Sequence, residues 1–240
     1  MAKLRYLRLT FDFSLSQTEV PAFRGAIAAR VGPERTLFHQ HQNHADGSHS
    51  LRREYALIQY KRLYKQATII ALHKAVDEIH YLFADTDWAI DLNGRSCLLK
   101  VDKLDLKEYA IRVLPPEEEL YTYSLRNWLA LNPEKYEEYQ QAAGIGKRVQ
   151  LLESILTGQI LNLLEGVGIR LQDRFVVHLQ DLPEHYVMTH KGVKHTAFSL
   201  RFRTNLFLPN YLGLGKGASR GFGVLKFHPE KKKKTRKERL

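Results

Sequence analysis

EYALIQYKRLYKQATIIAL, residues 54–72, reads as two strands, Glu54–Tyr64 and Ala67–Leu72, joined tightly at Lys65–Gln66. Both runs are short and rich in Ile, Leu, Tyr and Thr, residues that pack well on a pleated surface. Upstream, Leu4–Phe13 sets Leu4, Tyr6, Arg8 and Thr10 against Arg5, Leu7, Leu9 and Phe11, the alternation of a strand. Pro21 then opens PAFRGAIAARVG, residues 21–32, a short helix stopped by Gly32. Downstream, His73–Phe83 places Val76, Ile79, His80 and Phe83 at helical spacing, and Ser96–Leu104 alternates again. The resulting order, β-α-β-β-α-β, is the split βαβ arrangement of ferredoxin-like and RNA-recognition-motif-like domains.

A chain of 240 residues has room for two such units. After Glu108–Val113, Pro115–Pro116 and the acidic run Glu117–Glu119 break the pattern before Tyr121–Leu131. Val149, Leu152, Leu156, Ile160, Leu163 and Val167 then form one apolar stripe at helical spacing, ended by Gly166 and Gly168. Ile169–Leu179, Thr196–Asn205 and Phe222–Phe227 read as strands. The expectation is an α+β protein of two tandem ferredoxin-like (RNA-recognition-motif-like) domains. Residues 1–106 carry a histidine-rich loop, residues 107–228 carry a glycine-rich loop, and residues 229–240 form a disordered basic tail.

Lys and Arg total 37 against 26 acidic residues, a formal charge of +11, of which the segment His228–Leu240 supplies +5. The body is therefore basic in its own right, and a basic body favours polyanions, nucleic acid first among them. No basic amphipathic helix argues for a lipid surface, and no apolar run approaches the roughly 18–20 residues that span a bilayer. MAKLRYLRLTFDF, residues 1–13, alternates like a strand and does not resemble a signal peptide. Cys97, the one cysteine, cannot form an internal disulfide, which fits a reducing cytoplasm.

Two stretches carry chemistry. The first is GLGKGASRGFG, residues 213–223, with five glycines among eleven residues. Gly213, Gly215 and Ala218 match G-x-G-x-x-A, but no further strand with an acidic residue follows, so a dinucleotide fold fails on context. A P-loop fails because no Gly-Lys precedes Ser or Thr. What remains is a loop that clamps a nucleic-acid backbone through Gly213, Gly215, Lys216, Gly217, Ser219, Arg220, Gly221 and Gly223, set against a plain hinge. The second is the loop Phe38–Ser50 with His39, His41, His44 and His49. Histidine, titrating near pH 6.5, suits both proton transfers of RNA cleavage: taking the 2′-hydroxyl proton and giving one to the departing 5′-oxygen. A zinc site built from His39 and His41 with His44 or His49 is the alternative, although Asp46 is the loop's one carboxylate and H-E-x-x-H is absent. Arg52 and Arg53 are candidate phosphate contacts. Tyr60 and Lys61, on opposite faces of their strand, are candidate support.

With these residues assembled, the chain resembles the CRISPR-associated repeat-processing endoribonucleases, the Cas-six family, in its subtype b branch. PAFRGAIAARVG, LFHQH (37–41), YALIQYKR (55–62), YTYSLRNWLALN (121–132) and FLPNYLGLGKGASRGFGVL (207–225) carry the likeness. It implies two ferredoxin-like domains and metal-independent, cofactor-free cutting of a repeat within a precursor transcript, leaving 2′,3′-cyclic phosphate and 5′-hydroxyl ends. Such proteins hold their product, and the guide RNA passes to an interference complex. The family's F-H-x-H histidines fall on His39 and His41, with His41 the principal proton-transfer group and His39 its helper. The chain departs from the family in having His73-Lys74 where a Gly-Glu pair opens the second helix. Two extra histidines in Gln42–Ser50 and the Lys-rich tail are also unusual. A non-catalytic repeat-RNA-binding subunit of the same fold is the leading alternative and a metal-dependent nuclease the next. Both a monomer and a homodimer remain open.

Overall fold

A computed structural model describes residues 2–39, 41–43, 49–51, 54–85, 87–115, 118, 120–181, 183–190 and 192–229. The basic tail lies outside the described residues, as do Arg52 and Arg53. In the first half, β1 (Ala2–Ser14) leads into α1 (Val20–Val31), then a small hairpin, β2 (His41–Asn43) and β3 (His49–Leu51). There follow β4 (Ile58–Leu63), β5 (Gln66–Leu72), α2 (Ala75–Glu78) with a 3₁₀ turn over Ile79–Phe83, the β6 (Ala89–Leu92)–β7 (Arg95–Leu98) hairpin, and β8 (Val101–Ile111). The main strands form one antiparallel sheet in the order β4-β5-β1-β8, the ferredoxin-like arrangement expected from the element order.

Local chemistry explains these boundaries. Reciprocal bonds close the turn that leads into α1: the Glu19 carboxylate accepts from the Ser16 N–H at 2.8 Å, and the Ser16 hydroxyl accepts from the Glu19 N–H at 3.2 Å. The β4–β5 turn falls on Tyr64 and Lys65, one residue earlier than its sequence placement. Both adopt positive φ (51° and 71°), as a two-residue hairpin loop with the strands' own twist demands. The helix expected over His73–Phe83 is reduced to one α-turn plus the 3₁₀ turn. His73, at φ 52°, is fixed as the strand exit by its N–H bond to Arg5 O, which leaves little chain before the β6 hairpin.

The second half runs β9 (Tyr121–Trp128), α3 (Pro133–Gln141), α4 (Gly144–Gly166), β10 (Val177–Leu179), β11 (Glu184–His190), β12 (Val193–Thr204), a 3₁₀ turn over Ala218–Arg220, and β13 (Val224–His228). Its antiparallel sheet has the order β10-β12-β9-β13, with β11 also pairing with β12. Leu152, Leu156, Ile160 and Leu163 of the expected stripe are fully buried against this sheet. Of the strand expected over Ile169–Leu179, only Val177–Leu179 pairs. Ile169 is held back by its bond to Leu164 O, and Val176 donates to the Asn205 side chain. The ferredoxin-like plan holds, with one substitution: the segment between β12 and β13 occupies the place of a second helix, and it contains the glycine loop.

β4 joins the halves. Ile58, Gln59, Tyr60 and Lys61 are all buried, on both faces of an edge strand. Tyr60 meets Phe23 of α1 edge-on at 5.8 Å, while Gln59 and Lys61 bond to the glycine loop. One apolar core runs from Leu4 to Leu225 through this junction.

Candidate functional site

The glycine loop is tied both to itself and to the end of β9. Leu214 N–H donates to Gly223 O (2.9 Å), Gly223 N–H to Asn127 O (3.0 Å) and Lys216 N–H to Leu129 O (3.2 Å). Inside the loop, Ala218 N–H reaches Gly215 O, and the Arg220 and Phe222 N–H groups both reach Gly217 O. Many of the donors that a phosphate cradle would use are therefore engaged by the protein itself. Gly213, Ser219, Gly221 and Gly223 are buried, Gly215, Gly217 and Arg220 are partly exposed, and Lys216 stands in solvent.

The loop docks on β4 through a closed ring of bonds. Gly213 N–H donates to Gln59 Oε1 (2.9 Å), Gln59 Nε2 to Tyr55 OH (2.7 Å), and Tyr55 OH to Gly213 O (2.8 Å). Lys61 Nζ donates to Ala218 O at 3.3 Å. On the other face the Tyr60 hydroxyl reaches Phe38 O at 3.3 Å, just before His39. Tyr60 and Lys61 thus brace the two loops from within and stand apart from solvent.

The Lys61 ammonium is fully buried, and burial pushes its pKa down to about 7. The folded chain favours the neutral amine, whereas the unfolded chain titrates near 10.5. Between about pH 7 and 10.5 the unfolded state binds more protons, so stability rises with pH by at most roughly 1.4 kcal/mol per unit. Urea melts across this window are expected to show Lys61→Met gaining on the parent at pH 7 and losing that advantage toward pH 10. A pH-independent difference would assign the amine an ordinary ionisation.

A cleft of about 570 Å³ opens beside the loop, walled by Glu54–Ala56, Leu129–Asn132, Gln159 of α4 and Gly215–Ala218. A narrower groove containing His39, Lys74 and Gly166 shares the wall Glu54, Tyr55 and Ala56 with it. The glycine loop and the root of the histidine loop therefore border one continuous junction. The His39 ring is fixed there, its Nε2–H donating to Gly32 O at 2.8 Å. His41 opens β2 and pairs with Leu51. The side chains of His41 and His49, and all of His44, lie outside the described residues.

Two histidines that sequence reasoning did not single out also approach the loop. His190 meets Phe222 edge-on at 5.0 Å, and His195 lies 6.2 Å from His190, its pKa lowered by burial and by Lys216. No sequence signal grouped them, because β11 does not alternate plainly and neither lies near the histidine-rich loop.

Cations continue over the open face of the second sheet. Arg126, Arg201 and Lys226 surround His228, whose Nε2 bonds Ser124 Oγ at 2.8 Å; burial and those three cations depress its pKa. Between the domains, a recess of about 260 Å³ is lined by Arg62, Arg126 and Lys226 with Tyr64 and Tyr211. Tyr64 is 74% exposed, and its hydroxyl lies 2.7 Å from that of Tyr211. Among the described residues, no helix is long and apolar enough to cross a membrane.

Fold and site together define a tandem ferredoxin-like protein with a glycine-rich loop locked into a cationic domain junction. Comparison with known families makes the assignment specific: the Cas6b N-terminal domain matches residues 2–110 and the Cas6b C-terminal domain matches residues 116–227. The chain belongs to the Cas6b family. Among solved structures, one described as a crystal structure of Cas6b superposes with a TM-score of 0.82, and one of a CRISPR RNA processing endoribonuclease Cas6b with 0.68. Each is 19% identical and covers 95% of this chain and 100% of the other, a likeness of fold. A type IV Cas6 crRNA endonuclease, Csf5, follows at 0.53 with 11% identity, covering 95% of this chain and 100% of its own. The uncharacterized protein MJ0978 of Methanocaldococcus jannaschii is 38% identical over 96 residues, 40% of this chain and 64% of that protein's length.

Proposed function

We propose that this chain binds CRISPR repeat RNA and cuts the precursor transcript by metal-independent acid–base chemistry. The observation that carries this reading is the shared wall Glu54–Ala56, which puts the His39 groove beside the glycine-loop cleft. One group takes the proton of the 2′-hydroxyl, whose oxygen attacks the adjacent phosphorus. The P–O5′ bond breaks, and a second group protonates the leaving 5′-oxygen, giving a 2′,3′-cyclic phosphate and a 5′-hydroxyl. His41 takes the principal proton-transfer role with His39 as its helper, while Arg52, Arg53, Lys216 and Arg220 contact phosphates. The exposed tyrosine and the arginines of the inter-domain recess suit a single strand, whose bases stack and whose backbone seeks cations. The product stays bound and passes to an interference complex.

The test is cleavage of 5′-labelled repeat RNA in excess EDTA, with a second substrate carrying a 2′-deoxy sugar at the cut. A single EDTA-resistant cut, lost with the deoxy sugar, is expected. Tight binding without a cut would make the chain a repeat-binding subunit. A cut abolished by EDTA would assign the histidines to a metal.

A further inference from the structure

α1 buries Val20, Phe23, Ile27 and Val31 along one stripe, and in that stripe sits Arg24. The residue is 9% exposed, and its Nε has no hydrogen-bond acceptor among the described residues. The 3₁₀ turn of the glycine loop packs against α1 and ends at Arg220, a like charge whose own pKa is depressed in part by Arg24. That turn is pressed on β4, with Gly221 packed against the Tyr60 carbonyl and the Gln17 side chain. Neither guanidinium takes part in any of the described ion pairs, and both pKa values are lowered, Arg24 by burial and Arg220 by burial and by Arg24. Two like charges drawn together out of water without a carboxylate oppose folding. Three other arginines do meet carboxylates: Arg5 pairs with Asp77, Arg8 with Asp105 and Arg95 with Glu19.

Two planar guanidinium forks at one helix–loop contact can grip a tetrahedral anion, each able to donate two N–H bonds to phosphate oxygens. Tyr60, the aromatic neighbour of Arg24, donates to the carbonyl just before His39, so this seat adjoins the root of the histidine loop. We propose that Arg24 and Arg220, one from each domain, jointly hold a single phosphate of the bound RNA, next to the histidines. The proposal rests on the RNA reading above for the identity of the anion, but not for the existence of the seat.

The experiment uses the full chain and three variants, Arg24→Met, Arg220→Met and the double variant, which keep the apolar bulk. Inorganic phosphate at constant ionic strength is expected to raise the parent's Tm saturably and to leave the variants unmoved. Without phosphate, Arg24→Met is expected to melt no lower than the parent, because it removes an uncompensated buried charge. Repeat RNA with a 2′-deoxy sugar at the cut, neutralised one linkage at a time as methylphosphonate, is expected to lose about tenfold in affinity for the parent at one linkage. Each variant should lose a similar factor on unmodified RNA and be indifferent to that linkage, the double variant no worse than either single one. Arg24→Met melting lower while binding phosphate and RNA as the parent does would make Arg24 a packing residue and overturn the proposal. Identical methylphosphonate profiles in parent and variants would overturn it too, while leaving the nuclease reading intact. Phosphate bound through the pair by a chain that neither binds nor cuts repeat RNA would keep the seat and sink the nuclease reading.

Discussion

His41→Ala is expected to slow single-turnover cleavage of repeat RNA by about 10²–10⁴-fold while leaving affinity for an uncleavable 2′-deoxy substrate within a few-fold of the parent. The size follows from removing a positioned proton-transfer group whose loss leaves RNA contacts in place. His39→Ala is expected to cost less. The His39 Nε2–H is already committed to the Gly32 carbonyl, which leaves Nδ1 as the ring's acceptor in the neutral form. Such a ring serves better as an orienting or accepting partner than as a proton donor. Rates of the two single variants and the double variant, measured at saturating enzyme, separate these roles. A His41→Ala rate within threefold of the parent would remove this histidine from the chemistry. Equal losses in all three would mean that the pair works as one unit.

Gly223→Ala is expected to destabilise the fold by roughly 3–5 kcal/mol, a drop in Tm on the order of 10 °C for a chain of this size. Two causes add. Gly223 has φ 56°, where an L-residue with a Cβ costs about 1–2 kcal/mol. The new methyl would also collide with the Leu214 carbonyl oxygen, backbone of a residue whose N–H is held by Gly223 O. Gly168→Ala is the control, since Gly168 shares a positive φ of 71° but its methyl would meet nothing within 4 Å. Its loss should be confined to the conformational part. Thermal melts of both variants decide the matter. Equal shifts would show that the loop yields easily, against the tight packing at Leu214.

The hairpin over residues 54–72 and the strand Leu4–Phe13 made the first domain legible, because period-two alternation survives wherever one strand face meets a helix. β4 was harder to read in detail. Gln59 and Lys61 look like solvent-facing residues, and only the second domain's arrival buries them. The family resemblance rested on local motifs, and those motifs lie in residues that the fold brings to one junction. What escaped the sequence was tertiary. α3 begins at Asn132-Pro133 with the Asn132 side chain capping the Lys135 N–H, a signal that was present but short. β11 is mixed in polarity on both faces. Arg24 sits among the alanines of α1, where periodicity cannot tell a buried arginine from a solvated one.

The ring of bonds among Tyr55, Gln59 and Gly213 bears on how such a molecule can evolve and be handled. A strand whose outer face is completed by another domain is, alone, an open edge with buried-type polar groups turned toward water, which invites the wrong neighbours. Neither half is therefore a portable module. The two sheets share a single interior and must be inherited, expressed and denatured together, and a swap of either half between relatives has to carry the facing loop along with its strand.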